Sequence, residues 1–82
     1  MNKSEEELFS LLARVLGLNI SEITDKTSPE NTESWDSFNA LVMVTELENT
    51  FNVSFTMQEV QAVTCVADIK KALSSHGVEI ND

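Results

Sequence analysis

Ser37 is the residue best placed for covalent chemistry. It lies within Trp35-Asp36-Ser37-Phe38, directly after a long polar stretch. Asp36 is a good helix cap because its carboxylate can accept backbone N–H bonds, which puts Ser37 at the first helical position with its hydroxyl pointing outward. The N–H groups of a helix start favour negative charge, so a phosphodiester on Ser37 would be stabilised there. An isolated Asp-Ser pair is usually only a helix cap, and the dipeptide alone leaves both interpretations open.

Other chemistries lack the residues they need. A serine hydrolase requires a histidine base, and the single histidine, His76, lies near the end of the chain on a different helix terminus. Cys65 and His76 are too few for a cysteine/histidine metal site. Residues 25–36 lack the glycine and the alternating oxygen ligands of an EF-hand. We therefore predict no catalytic and no metal-binding residues, and a small enzyme is the least favoured interpretation.

Length and charge restrict the class of protein further. Eighty-two residues with 41% hydrophobic content suffice for one small domain, residues 1–82. Fourteen acidic and five basic side chains give a net charge of −9, which repels nucleic acid and anionic membranes and favours basic partner surfaces. Leu8 and Phe9 follow Glu5-Glu6-Glu7, where a signal peptide would need positive charge, so we expect a cytoplasmic protein.

The hydrophobic pattern predicts four helices, at about 4–16, 37–50, 56–63 and 65–76. Ser4, Thr56 and Thr64 are the expected N-caps of the first, third and fourth helices, and Gly17 and Gly77 are expected to end the first and the last. Leu18, Ile20 and Ile23 should attach the long first loop to the core, and residues 79–82 should form a loose tail. The prediction is an all-α four-helix bundle with three longer helices, one short helix and a long loop between the first two.

The second helix has two different faces at 100° per residue. Its core side is predicted to comprise Ala40, Met43, Val44, Leu47 and Phe51. The opposite side carries Phe38, Val42, Thr45 and Asn49, with Leu41 on the flank. Large apolar side chains therefore lie on a face that should be exposed to solvent. We expect Met43 and Met57 to fill the core and Cys65 to be a small buried apolar residue. We expect His76 to be a favourable charge near a helix end.

Three segments in order resemble the acyl carrier protein family. Asp36-Ser37-Phe38 resembles the Asp-Ser-Leu that opens the second helix of that four-helix fold. Residues 47–55, Leu-Glu-Asn-Thr-Phe-Asn-Val-Ser-Phe, resemble its Leu-Glu-x-x-Phe-x-hydrophobic stretch, and residues 64–69, Thr-Cys-Val-Ala-Asp-Ile, resemble the start of its last helix. The long first loop is also a family feature. Each motif is weak alone, but their order and spacing along nearly the whole chain make the combination specific.

The resemblance implies a carrier with 4′-phosphopantetheine attached covalently to Ser37. A phosphopantetheinyl transferase would transfer the group from coenzyme A. The arm would hold an acyl or aminoacyl group as a thioester for a loading enzyme and a downstream synthase or transferase, in fatty-acid, polyketide or related biosynthesis. We expect a monomer that does not insert into membranes. The expected docking residues beside the arm are Asp36, Phe38, Leu41, Val42, Thr45, Glu46 and Glu48.

Some residues depart from the family pattern. Phe38 replaces the usual leucine, Val42 stands where fatty-acid carriers usually have glutamate, and Thr45 stands where they often have methionine. Trp35 before Asp36 resembles free-standing carriers of specialised pathways more than the carrier of primary fatty-acid synthesis. The alternative interpretation is an unmodified helical adaptor that binds a protein partner through the Phe38/Leu41/Val42 face.

Overall fold

The chain folds as a bundle of four α-helices in a computed structural model that describes residues 3–80. The helices are α1 (Lys3–Leu16), α2 (Ser37–Phe51), α3 (Met57–Ala62) and α4 (Val66–Ser75). A 3₁₀ turn at Ile20–Glu22, which the sequence analysis did not predict, interrupts the long loop between α1 and α2. Across residues 3–80 there is no β-strand. The predicted all-α four-helix fold with a long first loop is confirmed.

Helix α1 presents one apolar side to the bundle and ends at a glycine. Gly17 adopts φ +69°, and the Leu18 N–H donates to the Ala13 carbonyl at 3.0 Å, as expected for a left-handed stop. The prediction that Ser4 caps this helix is wrong, because α1 already includes Lys3 and Ser4 lies within its first turn. Residues 1 and 2, which precede the helix, lie outside the described part of the chain.

The long loop is held by backbone hydrogen bonds as well as by apolar contacts. The Thr27 carbonyl accepts a hydrogen bond from the Val66 N–H at 2.9 Å, and the Asp25 carbonyl accepts one from the Ala67 N–H at 3.0 Å. Both donors belong to the first turn of α4. These donors have no partner inside their own helix, so the loop satisfies them. Ile23 is buried as predicted, whereas Ile20 is 40% exposed and contributes less to the core than expected, because it lies in the 3₁₀ turn.

Lys70 forms a buried link between α1, the long loop and α4. Lys70 is 5% exposed, and its Nζ lies 2.5 Å from Glu5 Oε2 and 2.7 Å from Asp25 Oδ1. The ammonium also lies 5.0 Å from the centroid of the Phe9 ring. Burial disfavours the charged amine, but the hydrogen bonds and charges of Asp25 and Glu5 outweigh it and raise the pKa of Lys70 above its ordinary value.

The start of α4 differs by one residue from the prediction. Cys65, not Thr64, is the N-cap residue, and it is half-buried. Thr64 instead donates its hydroxyl and its N–H to Asp68 Oδ2, at 2.6 and 2.9 Å. These bonds hold the pKa of Asp68 below its usual range, with the hydroxyl bond the larger cause.

The chain after α4 returns to the core. Gly77, at φ +86°, ends the helix, and the Val78 N–H donates to the Leu73 carbonyl at 3.0 Å, as predicted for a glycine stop. Ile80 is 1% exposed, so the prediction of a loose tail is wrong for this residue. Burial of its apolar side chain lowers the free energy of the folded chain, and this favours an ordered position for Ile80. Residues 81 and 82 of the predicted tail lie outside the described residues.

Candidate functional site

The start of α2 is held in place by Asp36 and Asn39. Asp36 Oδ1 accepts from the Asn39 backbone N–H at 2.8 Å, and Asn39 Nδ2 donates to the Ser34 carbonyl at 2.8 Å. The backbone of Asp36 is extended (φ −99°, ψ −176°), which is normal for an N-cap residue. Asp36 therefore caps α2 as predicted, and the loop and the helix meet in a defined geometry immediately before Ser37.

Ser37 occupies the first position of α2 and is exposed to solvent. Among residues 3–80 nothing hydrogen-bonds its hydroxyl, and the N–H groups of Ser37 and Phe38 have no protein acceptor. An anion bonded to Ser37 Oγ would meet these donors and the positive end of the helix dipole. The hydroxyl is thus accessible to a modifying enzyme, and its surroundings fit a phosphodiester.

An exposed apolar face adjoins Ser37. Phe38 is 72% exposed and Leu41 is 64% exposed, while Val42 is half-buried. The Thr45 hydroxyl donates to the Leu41 carbonyl at 3.1 Å, so its hydrogen-bonding capacity is partly used within the helix. The predicted two-sided character of α2 is confirmed, since Met43 and Leu47 on the opposite side are buried.

The carboxylates predicted beside this face have intramolecular partners. Glu46 Oε1 pairs with Arg14 Nη2 of α1 at 2.6 Å, and Glu48 Oε2 accepts from the Phe55 backbone N–H at 2.8 Å. Glu48 therefore holds the connection that follows α2. Both carboxyl groups are therefore engaged within the fold, whereas the side chains of Phe38 and Leu41 are exposed.

Helix α3 contributes an exposed methionine that the sequence analysis placed wrongly. Met57 is 68% exposed and does not fill the core, unlike Met43, which is buried as predicted. Its position explains this, because Met57 is the first residue of a six-residue helix that contains no fully buried residue.

Helix α3 is linked to the end of α4 through His76. Its Nε2 lies 2.8 Å from Glu59 Oε2, and its ring meets the Phe55 ring edge-to-face, with centroids 5.2 Å apart. The Thr56 backbone N–H and the His76 ring hold the pKa of Glu59 below its usual range. Glu59 and Thr56 bond reciprocally at 2.9 and 3.1 Å in a capping box, which confirms Thr56 as the predicted N-cap of α3.

The described residues offer neither a metal-binding cluster nor a membrane-spanning helix. Residues 3–80 contain no cluster of three His, Cys, Asp or Glu side chains that could hold a metal ion. In the same residues, no helix has the length and apolar character needed to cross a bilayer. The arrangement offers an accessible serine hydroxyl with free helix N–H groups, bordered by exposed apolar side chains.

Comparisons with known proteins place these features in a family. The model of the family described as "Phosphopantetheine attachment site" matches residues 6–73, which include all of α2 and α3. A solved structure described as "a putative acyl carrier protein" from Mycobacterium tuberculosis superposes with a TM-score of 0.80 at 22% sequence identity. That match covers 89% of this chain and 97% of the other. At this identity the structural match supports the fold alone, whereas the family match spans most of the sequence.

Proposed function

Because the chain belongs to the phosphopantetheine-binding family of acyl carrier proteins, we propose that Ser37 is the residue that carries its cofactor. The cofactor of this family is 4′-phosphopantetheine, bound covalently, and its members are carriers and not enzymes. The observation that carries the assignment is the exposed, unpartnered hydroxyl of Ser37 at the first position of α2. It lies within the matched residues 6–73.

Ser37 supplies the oxygen nucleophile for its own modification. Its Oγ forms a bond to the phosphorus that bears the pantetheine arm of coenzyme A, the diphosphate P–O bond breaks, and 3′,5′-ADP leaves. A base on a phosphopantetheinyl transferase takes the hydroxyl proton, and Mg²⁺ at that enzyme's site neutralises the diphosphate. When bound, the group supplies a thiol that holds an acyl or aminoacyl cargo as a thioester. The N–H groups of Ser37 and Phe38, which have no protein acceptor among residues 3–80, would be available to hold the phosphodiester.

The carrier works by tethering. A flexible arm presents its thioester to a docked enzyme at an effective concentration on the order of millimolar. The partners are a transferase, a loading enzyme and a downstream synthase or transferase, which bind one after another. Docking is therefore weak, and the net charge of −9 steers basic partner surfaces towards the carrier.

The docking surface of the carrier combines exposed apolar side chains with neighbouring charge. Phe38 and Leu41 are its main anchors because they are the most exposed apolar residues of α2. Val42, Thr45 and Asp36 extend this surface along and before the helix. Glu46 and Glu48 contribute charge at its edges, although Arg14 and the Phe55 N–H already engage them.

The class of pathway is proposed from the residues that depart from the family pattern. Phe38, Val42 and Thr45 make the docking helix less acidic than that of a fatty-acid carrier. Together with Trp35, they favour a free-standing carrier of a specialised pathway, such as polyketide, peptide-like or small-acyl modification chemistry. We infer that the carrier acts in the cytoplasm as a monomer.

The attachment is tested by intact mass. We expect incubation with coenzyme A, Mg²⁺ and a broad-specificity transferase to add one phosphopantetheinyl group to the protein. Ser37→Ala should gain no mass, whereas Ser34→Ala, a matched serine substitution three residues upstream, should be modified as the unaltered protein is. Absence of any addition to the unaltered protein, or equal addition to Ser37→Ala, would refute the assignment.

A second candidate function is that of an unmodified helical adaptor. The observation that favours it is the 72% exposure of Phe38 and the 64% exposure of Leu41, because large apolar side chains exposed side by side are typical of a protein-binding surface. This alternative predicts that Ser37→Ala leaves partner binding and function unchanged, while Val42→Glu abolishes binding. A loss of function in Ser37→Ala with partner affinity retained would exclude it.

A further inference from the structure

One acidic side chain of the docking surface is paired with a basic residue of another helix. Arg14, in the last turn of α1, places its Nη2 2.6 Å from Oε1 of Glu46 in α2. Within residues 3–80, Glu46 has no other hydrogen-bond or ion-pair partner. The carboxylate that could meet a basic partner at this end of α2 is therefore neutralised from within the carrier.

Glu46 lies on the same ridge of α2 as the apolar side chain next to Ser37. Phe38, Val42 and Glu46 are spaced four residues apart, and side chains at this spacing are neighbours on the surface of an α-helix. Phe38 is strongly exposed and Val42 is half-buried. A partner that covers this ridge beyond Val42 therefore reaches Glu46, and it meets Arg14 at the same place.

The ion pair is too exposed to be needed for the stability of the bundle. The side chain of Arg14 is 66% exposed and that of Glu46 is 38% exposed. Ion pairs with this exposure contribute little to folding, because water solvates the separated groups almost as well. The pair therefore changes what the surface offers to a partner more than it changes the free energy of unfolding.

Arg14 has an advantage over a cation that a partner brings. It belongs to the same folded chain as Glu46, so its effective concentration at the carboxylate is on the order of millimolar, whereas a partner brings its cation from solution. The guanidinium also keeps its charge, because arginine is not deprotonated in proteins. A basic partner must either displace Arg14 or dock without Glu46, and both weaken docking that depends on charge.

We propose that Arg14 competes with the basic side chains of partner enzymes for Glu46 and so weakens docking by enzymes that rely on charge at this end of α2. The inference rests on the proposed carrier function and concerns which partners its docking surface admits. Enzymes that bind through the exposed side chains of Phe38 and Leu41 are not affected by the pairing. Arg14 acts through Glu46 and takes no part in the attachment chemistry at Ser37.

The proposal is tested by the kinetics of attachment. A broad-specificity phosphopantetheinyl transferase with a basic docking surface is supplied with coenzyme A, Mg²⁺ and increasing concentrations of carrier, and intact mass follows the product. We expect Arg14→Gln to lower the KM for the carrier roughly two- to fivefold, the range that an exposed ion pair supports, with kcat unchanged. A lower KM at constant kcat indicates tighter docking and not faster chemistry.

The two possible failures are distinguishable in this assay. If the unaltered protein is modified and Arg14→Gln leaves its KM unchanged, the competition is refuted and the attachment stands. If the unaltered protein gains no group, the attachment is refuted, and this inference with it. Circular dichroism verifies that each variant is folded, which we expect because both members of the pair lie at the surface.

Lys3→Gln controls for the change in net charge. It removes the same charge from the same helix as Arg14→Gln does. Lys3 lies about three helical turns before Arg14, which is roughly 16 Å along the helix axis. That distance exceeds the screening length of about 8 Å at physiological ionic strength, so the KM of this control should stay close to that of the unaltered protein. An equal fall in KM for both variants would overturn the proposal.

A double-mutant cycle shows whether Arg14 acts through Glu46. Arg14→Gln is repeated in a carrier that also has Glu46→Gln, which leaves no carboxylate for a partner to gain. The fall in KM that Arg14→Gln causes should then be largely lost. An equal fall in both backgrounds would show that Arg14 only repels basic partners, and it would refute the competition for Glu46.

Discussion

Replacing Lys70 by methionine should destabilise the fold through the loss of its buried charge. Methionine keeps most of the apolar stem beside Phe9 and removes the ammonium that pairs with Glu5 and Asp25. A hydrogen bond to a charged group contributes about 1.5–3 kcal/mol, so two such bonds amount to at least about 3 kcal/mol. The change also removes the desolvation penalty of the amine, which offsets part of this loss.

The partners' exposure reduces the expected effect further. The Asp25 side chain is 57% exposed and water can solvate it after the change, whereas Glu5 is 21% exposed and loses more. We therefore expect Lys70→Met to lower the free energy of unfolding by about 2 kcal/mol. For a domain of this size, that corresponds to a fall in Tm of roughly 8–16 °C. Thermal and urea unfolding, followed by circular dichroism, measure both quantities.

The exposed neighbour Lys71 provides the control. Lys71→Met removes the same charge from the same helix, and we expect it to change stability by less than about 0.5 kcal/mol. Because the pKa of Lys70 is raised above 10.5, its contribution is complete below that pH and is lost as the pH rises through the higher folded-state pKa. The stability difference between the unaltered protein and Lys70→Met should therefore shrink above pH 10.5. Equal losses for the two variants at neutral pH would refute the reasoning.

Three further predictions concern the cap of α2, the start of α4 and the chain end. Asp36→Ala should lower the free energy of unfolding by about 1 kcal/mol and Asp36→Asn by only a few tenths, measured by urea unfolding, because asparagine retains the capping oxygen. The pKa of Asp68, followed by NMR of its carboxyl resonance, should lie below 3.8 and should rise towards 3.8 in Thr64→Ala. The stability that Asp68 contributes is therefore present above pH 3.8 and is lost as the pH falls through the lowered pKa. Ile80→Ala should cost about 2–4 kcal/mol in the same unfolding assay, and a neutral result would show that the chain end does not pack as the structure describes.

Local sequence signals were enough to place most of the bundle. The Asp36 cap marked the start of α2, and the capping box of Thr56 marked the start of α3. Gly17 and Gly77 end α1 and α4 because both adopt positive φ, which glycine tolerates without strain. These signals act within a few residues of each other, so they are readable without knowledge of the tertiary contacts.

What the sequence could not indicate depends on contacts between distant segments. From its residue type, Lys70 would be expected on the surface, and only the approach of Glu5 and Asp25 makes its burial favourable. Ile80 looked like part of a tail because its core partners are distant in sequence. Met57 has the composition of a core residue, but the short length of α3 leaves it at the edge of the bundle.

The candidate site combines both kinds of information. The position of Ser37 at the start of α2 follows from its sequence context alone. The outward position of its hydroxyl was expected from the same context. The absence of a protein acceptor for the N–H groups of Ser37 and Phe38, and the pairing of Glu46 with Arg14, depend on the folded chain.

The most direct measurement is to map the modified residue by tandem mass spectrometry after treatment with coenzyme A, Mg²⁺ and a broad-specificity transferase. Fragment ions should place one phosphopantetheinyl group on Ser37, and the corresponding peptide of Ser37→Ala should stay unmodified. A phosphopantetheinyl group on any other residue, or an unmodified Ser37 in folded protein treated under conditions that modify a known carrier, would contradict the account.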